Sequence, residues 1–266
     1  MIDGALPYLR CPVCRQPLER AERTLRCPSR HSFDMAKQGY ADLTAGRMPH
    51  VGDTADMVAA RAAFLAAGHY DFIAGALAGS AEPGLIVDAG TGTGHYLSRV
   101  LDAADEATGL GLDVSKPALR RAARAHPRAA AVLTDLWRPL PIADAVATVV
   151  LNVFAPRNGP EFHRILRPDG LLLVVTPEPD HLQELISAHD LIHVDPDKAA
   201  RTQESLGEHF KPVATLPLRR ELNLTAAEAR TLIGMTPSAH HAAAASLELE
   251  STRVTASVLV TTYRPV

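Results

Sequence analysis

The amino-acid sequence predicts an α/β protein with a Rossmann-like parallel sheet and a small N-terminal zinc ribbon. From residue 84 onward, short apolar segments alternate with helix-like segments, which is typical of parallel strands joined by helices. The first apolar segment ends in an acid followed by three closely spaced glycines. All three cysteines lie within the first 27 residues, in a spacing typical of zinc ligands.

The ribbon is predicted from Cys11, Cys14, Cys27 and His31, which form the pattern Cys-x2-Cys-x12-Cys-x3-His. Zinc takes four such ligands in tetrahedral geometry, and the residues between the two pairs can form a small hairpin. A disulfide is the alternative, but it leaves one cysteine unpaired, whereas zinc uses all three with the histidine. A ribbon of about 35 residues buries too little apolar surface to fold alone, so the metal would supply most of its folding free energy.

Composition and length describe an ordinary soluble chain. The 266 residues are 47% hydrophobic and 21% charged, which suits one large domain with a small appendage. The longest apolar stretches, at 145–153 and 171–175, are shorter than the roughly 20 residues that span a bilayer. The first residues lack the pattern of a secretory signal, and thiol ligands suit a reducing compartment. We therefore expect a cytoplasmic protein without a membrane partner.

Basic residues are concentrated at the N-terminal end. The net charge of −3 argues against nucleic-acid binding through bulk charge, yet residues 1–50 carry eight Lys or Arg against five Asp or Glu. Two clusters stand out: Arg10, Arg15, Arg20, Arg23, Arg26 and Arg30 around the zinc ligands, and Arg120, Arg121, Arg124 and Arg128 on a predicted helix. Phosphate contact is favoured for the first cluster, and a solvated face is the alternative for both.

The remaining elements follow from local composition. An alanine-rich helix is predicted over 54–66, with Asp53 as a possible cap. The predicted strands are 85–87, 108–112, 130–133, 147–151 and 171–175, and the predicted helices between them are 95–103, 116–125 and 160–166. We divide the chain into a zinc-binding domain at 1–45, a helical connector at 46–83 and an α/β domain at 84–266.

The glycine-rich turn follows the first predicted strand. Asp88 is followed by Gly90, Gly92 and Gly94, which lets the chain turn tightly and bring its backbone against a ligand. A dinucleotide fingerprint would need a glycine at position 95, which is His95. The turn instead resembles the cofactor loop of class I S-adenosylmethionine-dependent methyltransferases.

That resemblance implies roles for two further acids at strand ends. Asp113 matches the acid that accepts hydrogen bonds from the cofactor ribose, and Asp135 matches the residue that meets the adenine amino group. Asp88 would face the methionine end, and the three glycines would complete the cofactor site with His95 and Tyr96. A helix cap is the alternative role for Asp113, because Val114 and Ser115 follow it.

The chain as a whole resembles the 23S rRNA guanine-N1 methyltransferases of the RlmA type, especially the tylosin-resistance branch. The resemblance covers nearly the full length and rests on LRCPVC at 9–14, HSFDMAKQGY at 31–40, DTADMVAARA at 53–62, GHY at 68–70, SKPA at 115–118, NVFAPRN at 152–158 and RILRP at 164–168. One departure follows Met235, where the family tends to place a tryptophan four residues later and this chain has Ala239 followed by His240.

The resemblance implies methyl transfer from S-adenosylmethionine to N1 of a guanine in a 23S rRNA hairpin near the peptide exit tunnel. It also implies a homodimer and makes macrolide resistance or a housekeeping role plausible. Such an enzyme must displace the base from its stem, align N1 with the methyl group and accept the N1 proton.

Asn152 at the fourth strand end is the first candidate for holding the guanine edge, with Phe154 to stack on the ring. The alternative is a turn in which Asn152 caps the strand and Phe154 joins the core. His95, Asp135 and Glu178 are the candidates for the proton acceptor. Two rival functions remain: a small-molecule methyltransferase of antibiotic biosynthesis, which has no evident need of a basic ribbon, and a non-catalytic RNA-binding protein that retains the cofactor fold.

Overall fold

The computed structural model describes residues 2–46, 48–193, 195, 198–236 and 248–266. It contains a three-stranded N-terminal sheet and an eight-stranded sheet with helices on both faces. Among these residues, no helix has the length and apolar character needed to cross a bilayer.

The N-terminal sheet is the predicted ribbon. A short helix α1 (Ile2–Ala5) and a 3-10 turn (Leu6–Tyr8) lead into β1 (Glu19–Ala21), β2 (Thr24–Arg26) and β3 (Ser32–Asp34). These three strands pair antiparallel in chain order. The next strand, β4 (Ala41–Asp42), leaves the ribbon and joins the edge of the large sheet. The ribbon therefore runs directly into the main sheet without a free linker.

Two helices connect β4 to the catalytic part of the sheet. They are α2 (Ala55–Ala66) and α3 (Asp71–Ala78). The prediction of Asp53 as the cap of the first helix was wrong: Thr54 is the cap residue and its side chain accepts a hydrogen bond from the Met57 N–H. Asp53 instead pairs with Arg61 at 2.5 Å. A hydroxyl in extended conformation can reach the third N–H of the helix, which is the usual capping geometry.

The large sheet is built from alternating strands and helices, as predicted. In chain order they are β5 (Gly84–Ala89), α4 (His95–Asp102), β6 (Ala107–Asp113), α5 (Lys116–Ala122), β7 (Ala129–Leu133), β8 (Ala147–Val153), α6 (Gly159–Ile165), β9 (Leu166–Pro177), α7 (Gln183–His189), α8 (Lys198–Leu206), β10 (Phe210–Leu224), α9 (Ala226–Gly234) and β11 (Thr252–Pro265). Their order across the sheet is β10-β11-β9-β8-β5-β6-β7-β4.

The strand order reverses between β5 and β8. From β5 the chain adds β6 and then β7 on one side, whereas β8 and β9 lie on the other. Six strands, β4 to β9, pair parallel, and β10 and β11 pair antiparallel. Ligands of open α/β sheets bind at the carboxyl ends of the strands beside such a reversal. Asp88 of β5 and Asn152 of β8 lie there, because Asp88 is in register with Leu151.

The two antiparallel strands were not predicted. Most side chains of β10 are exposed, so the strand lacks the apolar run that marks the buried parallel strands. It pairs with β11 over its whole length, at the opposite edge of the sheet from β4.

The ribbon shares a hydrophobic core with the large sheet. Leu9, Leu25 and Phe33 belong to the same buried cluster as Leu110 and Ile142. Backbone pairing adds to this contact: the Arg10 N–H donates to the Pro141 carbonyl at 2.9 Å, and Leu9 bridges to Ile142. The ribbon is thus packed on the loop between β7 and β8, which positions it beside the ligand-binding edge.

Candidate functional site

The four predicted metal ligands form one compact cluster. Their ligand atoms all lie within 4.8 Å of one another. The Cys14 and Cys27 sulfurs are 3.6 Å apart, and His31 Nδ1 lies 3.5 Å from the Cys11 sulfur and 3.3 Å from the Cys27 sulfur. A tetrahedral ion with Zn–S distances of about 2.3 Å and a Zn–N distance of about 2.0 Å requires separations of this size. The donor set and its geometry therefore fit one zinc ion.

Two similar turns bring the ligands together. The Arg15 N–H donates to the Cys11 carbonyl at 2.8 Å, and the Arg30 N–H donates to the Cys27 carbonyl at 2.9 Å. Arg15 and Arg30 both have positive φ angles, of 64° and 67°. Each turn folds its pair of ligands inward, and the Gln16 backbone N–H lowers the pKa of the Cys14 thiol to about 6. A thiolate is the form that binds zinc.

Two arginines of the basic clusters stabilise the fold. Arg15 donates to the Leu140 carbonyl at 2.6 Å and to the Ile142 carbonyl at 2.9 Å, which ties the ribbon to the large sheet. Arg128 donates to the carbonyls of Leu101, Ala104, Asp105 and Ala107. The favoured phosphate contact was wrong for Arg15, and Arg128 is neither a phosphate contact nor a purely solvated side chain, because the donors of both residues are taken up by backbone acceptors.

The glycine loop after β5 takes the shape that its sequence requires. Gly90, Gly92 and Gly94 all have positive φ angles, between 53° and 89°. A Cβ atom on Gly90 would lie 2.3 Å from the Ala155 Cβ, and one on Gly94 would lie 2.9 Å from the Ala125 Cβ. Glycine is needed at both positions because the loop after β8 and helix α5 approach too closely for any side chain.

The loop leaves an acid without partners. Asp88 is 1% exposed, and neither of its carboxylate oxygens has a hydrogen-bond partner among the described residues. Burial raises the pKa of Asp88 to about 7, and the Asp113 carboxylate adds to the effect. Buried polar groups in proteins are almost always paired, so two orphaned carboxylate oxygens indicate a ligand that donates hydrogen bonds. The Thr91 hydroxyl of the same loop is also buried and unpartnered.

Asp113 and Asp135 lie at the ends of β6 and β7, on the same edge as Asp88. Asp113 accepts hydrogen bonds from the Gly92 and Ser115 N–H groups, each at 2.8 Å, so it fixes the glycine loop as well as the helix start. Asp135 accepts from the Trp137 N–H at 3.0 Å and lies 2.8 Å from His50 Nδ1. Burial raises the pKa of Asp113. A ligand at either acid would share oxygens that already have protein partners.

Asn152 is fully buried, and its amide nitrogen is already used. Nδ2 donates to the Ala89 carbonyl at 3.2 Å and to the Pro156 carbonyl at 2.8 Å, while Oδ1 has no partner among the described residues. Both contacts are carbonyl oxygens, which fixes the orientation of the amide. Among the groups of this amide, only the acceptor Oδ1 therefore remains available to a ligand.

Phe154 does not join the core, contrary to the alternative considered from the sequence. Its side chain is 41% exposed, and its backbone has a φ angle of 52°, which is unusual for a bulky residue. Strained backbone of this kind persists at functional sites when the surroundings enforce it. Here the Phe154 N–H donates to the Val175 carbonyl at 3.2 Å, which holds the ring at the edge of the sheet.

Sequence reasoning missed two residues that lie against Phe154. The rings of Tyr70 and His181 lie 6.4 Å and 6.0 Å from it, and the two side chains are joined by a hydrogen bond of 3.3 Å. His181 Nδ1 accepts the Ser257 N–H, and burial lowers the pKa of His181 to about 4, so the neutral ring donates from Nε2 to the Tyr70 hydroxyl. The GHY motif that contains Tyr70 was the available signal.

His95 and Tyr96 begin helix α4, directly after the glycine loop. Their rings are in edge contact at 5.2 Å, and burial raises the pKa of Tyr96 well above its usual range and lowers that of His95. His95 lines a cavity of about 270 Å³ with Arg99 and Arg121, between α2, α4 and α5. His240, the departure from the family pattern, lies outside the described residues.

Comparisons with known proteins agree with both parts of the molecule. Residues 9–45 match a zinc-ribbon family model described as RlmA, N-terminal, and residues 86–170 match a methyltransferase domain model. A protein named as a 23S rRNA (guanine-N(1)-)-methyltransferase from Micromonospora griseorubida is 54% identical, with 100% of both chains covered.

Two further relatives carry similar names. The 23S rRNA (guanine(748)-N(1))-methyltransferase of Streptomyces fradiae is 49% identical over 91% of this chain and 89% of its own length. A Bacillus subtilis protein named for the same guanine-N(1) activity is 30% identical and covers 86% of each chain. With its zinc ribbon and its S-adenosylmethionine-dependent methyltransferase fold, the chain belongs to the 23S rRNA (guanine-N1)-methyltransferase family.

Proposed function

We propose that this enzyme methylates N1 of a guanine in 23S rRNA, at the nucleotide for which the Streptomyces fradiae relative is named, guanine 748. The observation that carries the proposal is the pair of orphaned acceptors at the strand reversal, Asp88 and Asn152 Oδ1. Asp88 suits the cofactor, and Asn152 Oδ1 suits a substrate that presents hydrogen-bond donors. The Watson–Crick edge of guanine presents two, N1–H and the N2 amino group.

We propose the predicted cofactor residues as the binding site of S-adenosylmethionine. The Asp88 carboxylate would accept hydrogen bonds at the methionine end, and Asp113 and Asp135 would meet the ribose and the adenine. The loop and the first helical turn around the cofactor would be formed by Gly90, Gly92, Gly94, His95 and Tyr96. S-adenosylmethionine supplies an electrophilic methyl group on a sulfonium when bound.

On the substrate side, Asn152 Oδ1 would accept a hydrogen bond from the guanine edge and orient N1. Because the amide nitrogen holds the loop after β8, the same side chain fixes the position of Phe154, whose exposed ring can stack on the base. The rings of Tyr70 and His181, which lie against Phe154, would form a second wall of the space that receives the base.

Of the three candidates for the proton acceptor, Glu178 fits best. Asp135 already accepts from Trp137 and pairs with His50, and His95 lines the cavity between α2, α4 and α5. Glu178 follows β9, the neighbour of β8, and its backbone carbonyl accepts the His181 N–H at 3.0 Å. Its carboxylate would take the N1 proton as the methyl group is transferred.

The wider biological role is also a proposal. One structural zinc ion would be held by Cys11, Cys14, Cys27 and His31. The domain at 1–45 would recognise RNA, the helices at 46–83 would connect it, and the domain at 84–266 would catalyse methyl transfer. We propose a cytoplasmic homodimer, since ribosomal RNA is the substrate and family resemblance implies pairing. Macrolide resistance of the tylosin type would follow from methylation at the exit tunnel.

Primer extension on 23S rRNA tests the proposal directly. Methylation at N1 blocks base pairing, so rRNA incubated with the protein and S-adenosylmethionine should stop reverse transcriptase one nucleotide before guanine 748. A stop at another guanine would change the target nucleotide. Cofactor binding without any new stop would favour the small-molecule methyltransferase.

The Asn152→Ala variant should reduce kcat by about 100-fold, because small errors in the alignment of reacting atoms have effects of this size. Its affinity for S-adenosylhomocysteine, measured by calorimetry, should stay within about threefold of wild type. Thr148→Ala is the matched control: Thr148 also lies on β8 and loses a buried hydrogen bond, to the Leu85 carbonyl at 3.1 Å, but at the other end of the strand. An Asn152→Ala variant with the activity of this control would contradict the assignment.

A further inference from the structure

The only tryptophan in the chain, Trp137, lies on the surface of the loop between β7 and β8. Its side chain is 55% exposed, and its indole N–H has no hydrogen-bond partner among the described residues. We infer that Trp137 is a stacking platform for an unpaired nucleobase of the RNA substrate, other than the methylated guanine. This inference rests on the proposed function, because it takes 23S rRNA as the partner.

The backbone that carries the indole is held in place from both sides. The Trp137 N–H donates to Asp135 Oδ1 at 3.0 Å, and Asn158 Nδ2 donates to the carbonyl of the preceding Leu136 at 2.7 Å. The next residue, Arg138, donates from its side chain to the Ala45 carbonyl at 2.7 Å. An exposed aromatic ring on a fixed backbone loses little entropy when a base stacks on it.

Along its loop, Trp137 lies between the residues that contact the zinc ribbon and Asp135, which is predicted to bind the cofactor. The ribbon packs on the same loop a few residues later, at Pro141 and Ile142, while Asp135 lies two residues earlier. A cavity of about 150 Å³ lies between the two parts of the molecule, and its lining includes Pro12, Thr44, Met48, Asp135, Arg138 and Pro139, the chain neighbours of Trp137 on both sides but not the indole itself. An RNA strand that contacts both the ribbon and the strand ends near Asp88 can therefore run along this loop.

The indole has one ring contact among the described residues, and that contact is not a stacked one. His50 lies next to the indole, with ring centroids 6.2 Å apart and planes tilted by 44°, so it does not stack on the ring. Val51, which follows His50 in the chain, is 92% exposed. Elsewhere on the molecule, the ribbon carries Arg26 and Arg30, whose side chains have no partner among the described residues and remain available for phosphates of the same RNA. Exposed aromatic rings, together with cationic side chains for the phosphates, are the usual means of holding single-stranded RNA.

The indole fluorescence of the wild-type protein reports this contact, because Trp137 is the only tryptophan. We would titrate the protein, saturated with S-adenosylhomocysteine, with the synthetic 23S rRNA hairpin that carries guanine 748. Emission should be quenched with the same dissociation constant that filter binding gives. An abasic replacement of one loop nucleotide, other than guanine 748, should restore the emission.

Variants then separate stacking from general packing. Trp137→Ala should weaken hairpin binding at least about fivefold, the lower limit for base–aromatic stacking, and should raise KM for the hairpin while kcat at saturation changes less than about twofold. Trp137→Phe should stay within about threefold of wild type, since a flat ring remains. Leu216→Ala is the matched control, because Leu216 is 48% exposed on β10 at the opposite edge of the sheet.

Three results would overturn the inference. The first is hairpin binding by Trp137→Ala equal to that of wild type. The second is quenching by S-adenosylhomocysteine alone with no further change on adding RNA, which would place the indole at the cofactor. The third is wild-type protein that neither binds nor methylates the hairpin, which would remove the proposed function as well. In the first two results methylation by wild type persists, so the failures are distinguishable.

Discussion

An Asp88→Asn variant should bind S-adenosylhomocysteine at least about tenfold more weakly than wild type, yet its ligand-free form should be more stable than ligand-free wild type, by a margin that grows as the pH rises. Both effects come from the same buried carboxylate. Its two oxygens have no partner among the described residues, so in the ligand-free protein the charge is desolvated without compensation. Asparagine removes the charge and, with it, the strongest acceptor at the predicted methionine end.

The pH dependence has a definite sign. The pKa of Asp88 is raised from 3.8 to about 7 by burial, so the folded state holds a proton that the unfolded state has already released. The free energy of unfolding therefore falls as the pH rises from about 4 to about 7, and it is constant with respect to this group outside that window. The penalty is on the order of 4 kcal/mol at pH 8 and less than half of that at pH 5.

Denaturant unfolding of the ligand-free proteins at pH 5 and pH 8 tests this prediction. Because asparagine does not titrate, the stability difference between variant and wild type should grow by on the order of 2 to 3 kcal/mol between the two pH values. Asp105→Asn, an exposed acid just before β6, is the control and should show neither effect. A pH-independent difference, or unchanged affinity for S-adenosylhomocysteine, would contradict the role of Asp88.

A Cys14→Ser variant should lose its zinc and its folded ribbon. Atomic absorption should find one zinc ion per wild-type chain and close to none in the variant, because a tetrahedral site that loses a thiolate loses most of its affinity. Structural zinc sites contribute about 10 to 16 kcal/mol to the folding of small domains, which is more than the ribbon can replace by apolar burial. Since the ribbon shares its core with the large sheet, the thermal midpoint of the whole chain should fall as well.

Chelation of the wild-type protein gives an independent measurement if the variant does not accumulate. Release of one equivalent of zinc should increase hydrogen exchange over residues 9–45 and abolish methylation of the hairpin. Ser29→Ala is the matched control, because Ser29 lies between Cys27 and His31 and its hydroxyl donates to Gln16 Oε1 and to no other side chain that the structure describes. A Cys14→Ser variant with a full zinc content would refute the ligand set.

The sequence by itself determined the parts of the protein that depend on short spacings. The four zinc ligands lie on two short turns, and the glycine loop follows directly from a buried strand, so neighbouring residues suffice to predict both. Five of the parallel strands, β5 to β9, and the helices α4, α5 and α6 between them followed from apolar segments of fixed period, whereas the two-residue strand β4 was too short to be predicted. The family resemblance also rested on contiguous motifs, and relatives at 54% and 49% identity confirm it.

Only the tertiary structure decided how distant residues share their hydrogen bonds. In the folded chain, Arg15 donates to the carbonyls of Leu140 and Ile142. Asp135 pairs with His50, and the amide nitrogen of Asn152 donates to the Pro156 carbonyl in the loop after β8. The fold also pairs Tyr70 with His181, more than a hundred residues apart. A sequence shows which side chains can donate or accept, but each donor has several possible acceptors, and the choice depends on which strands and loops the folded sheet brings together.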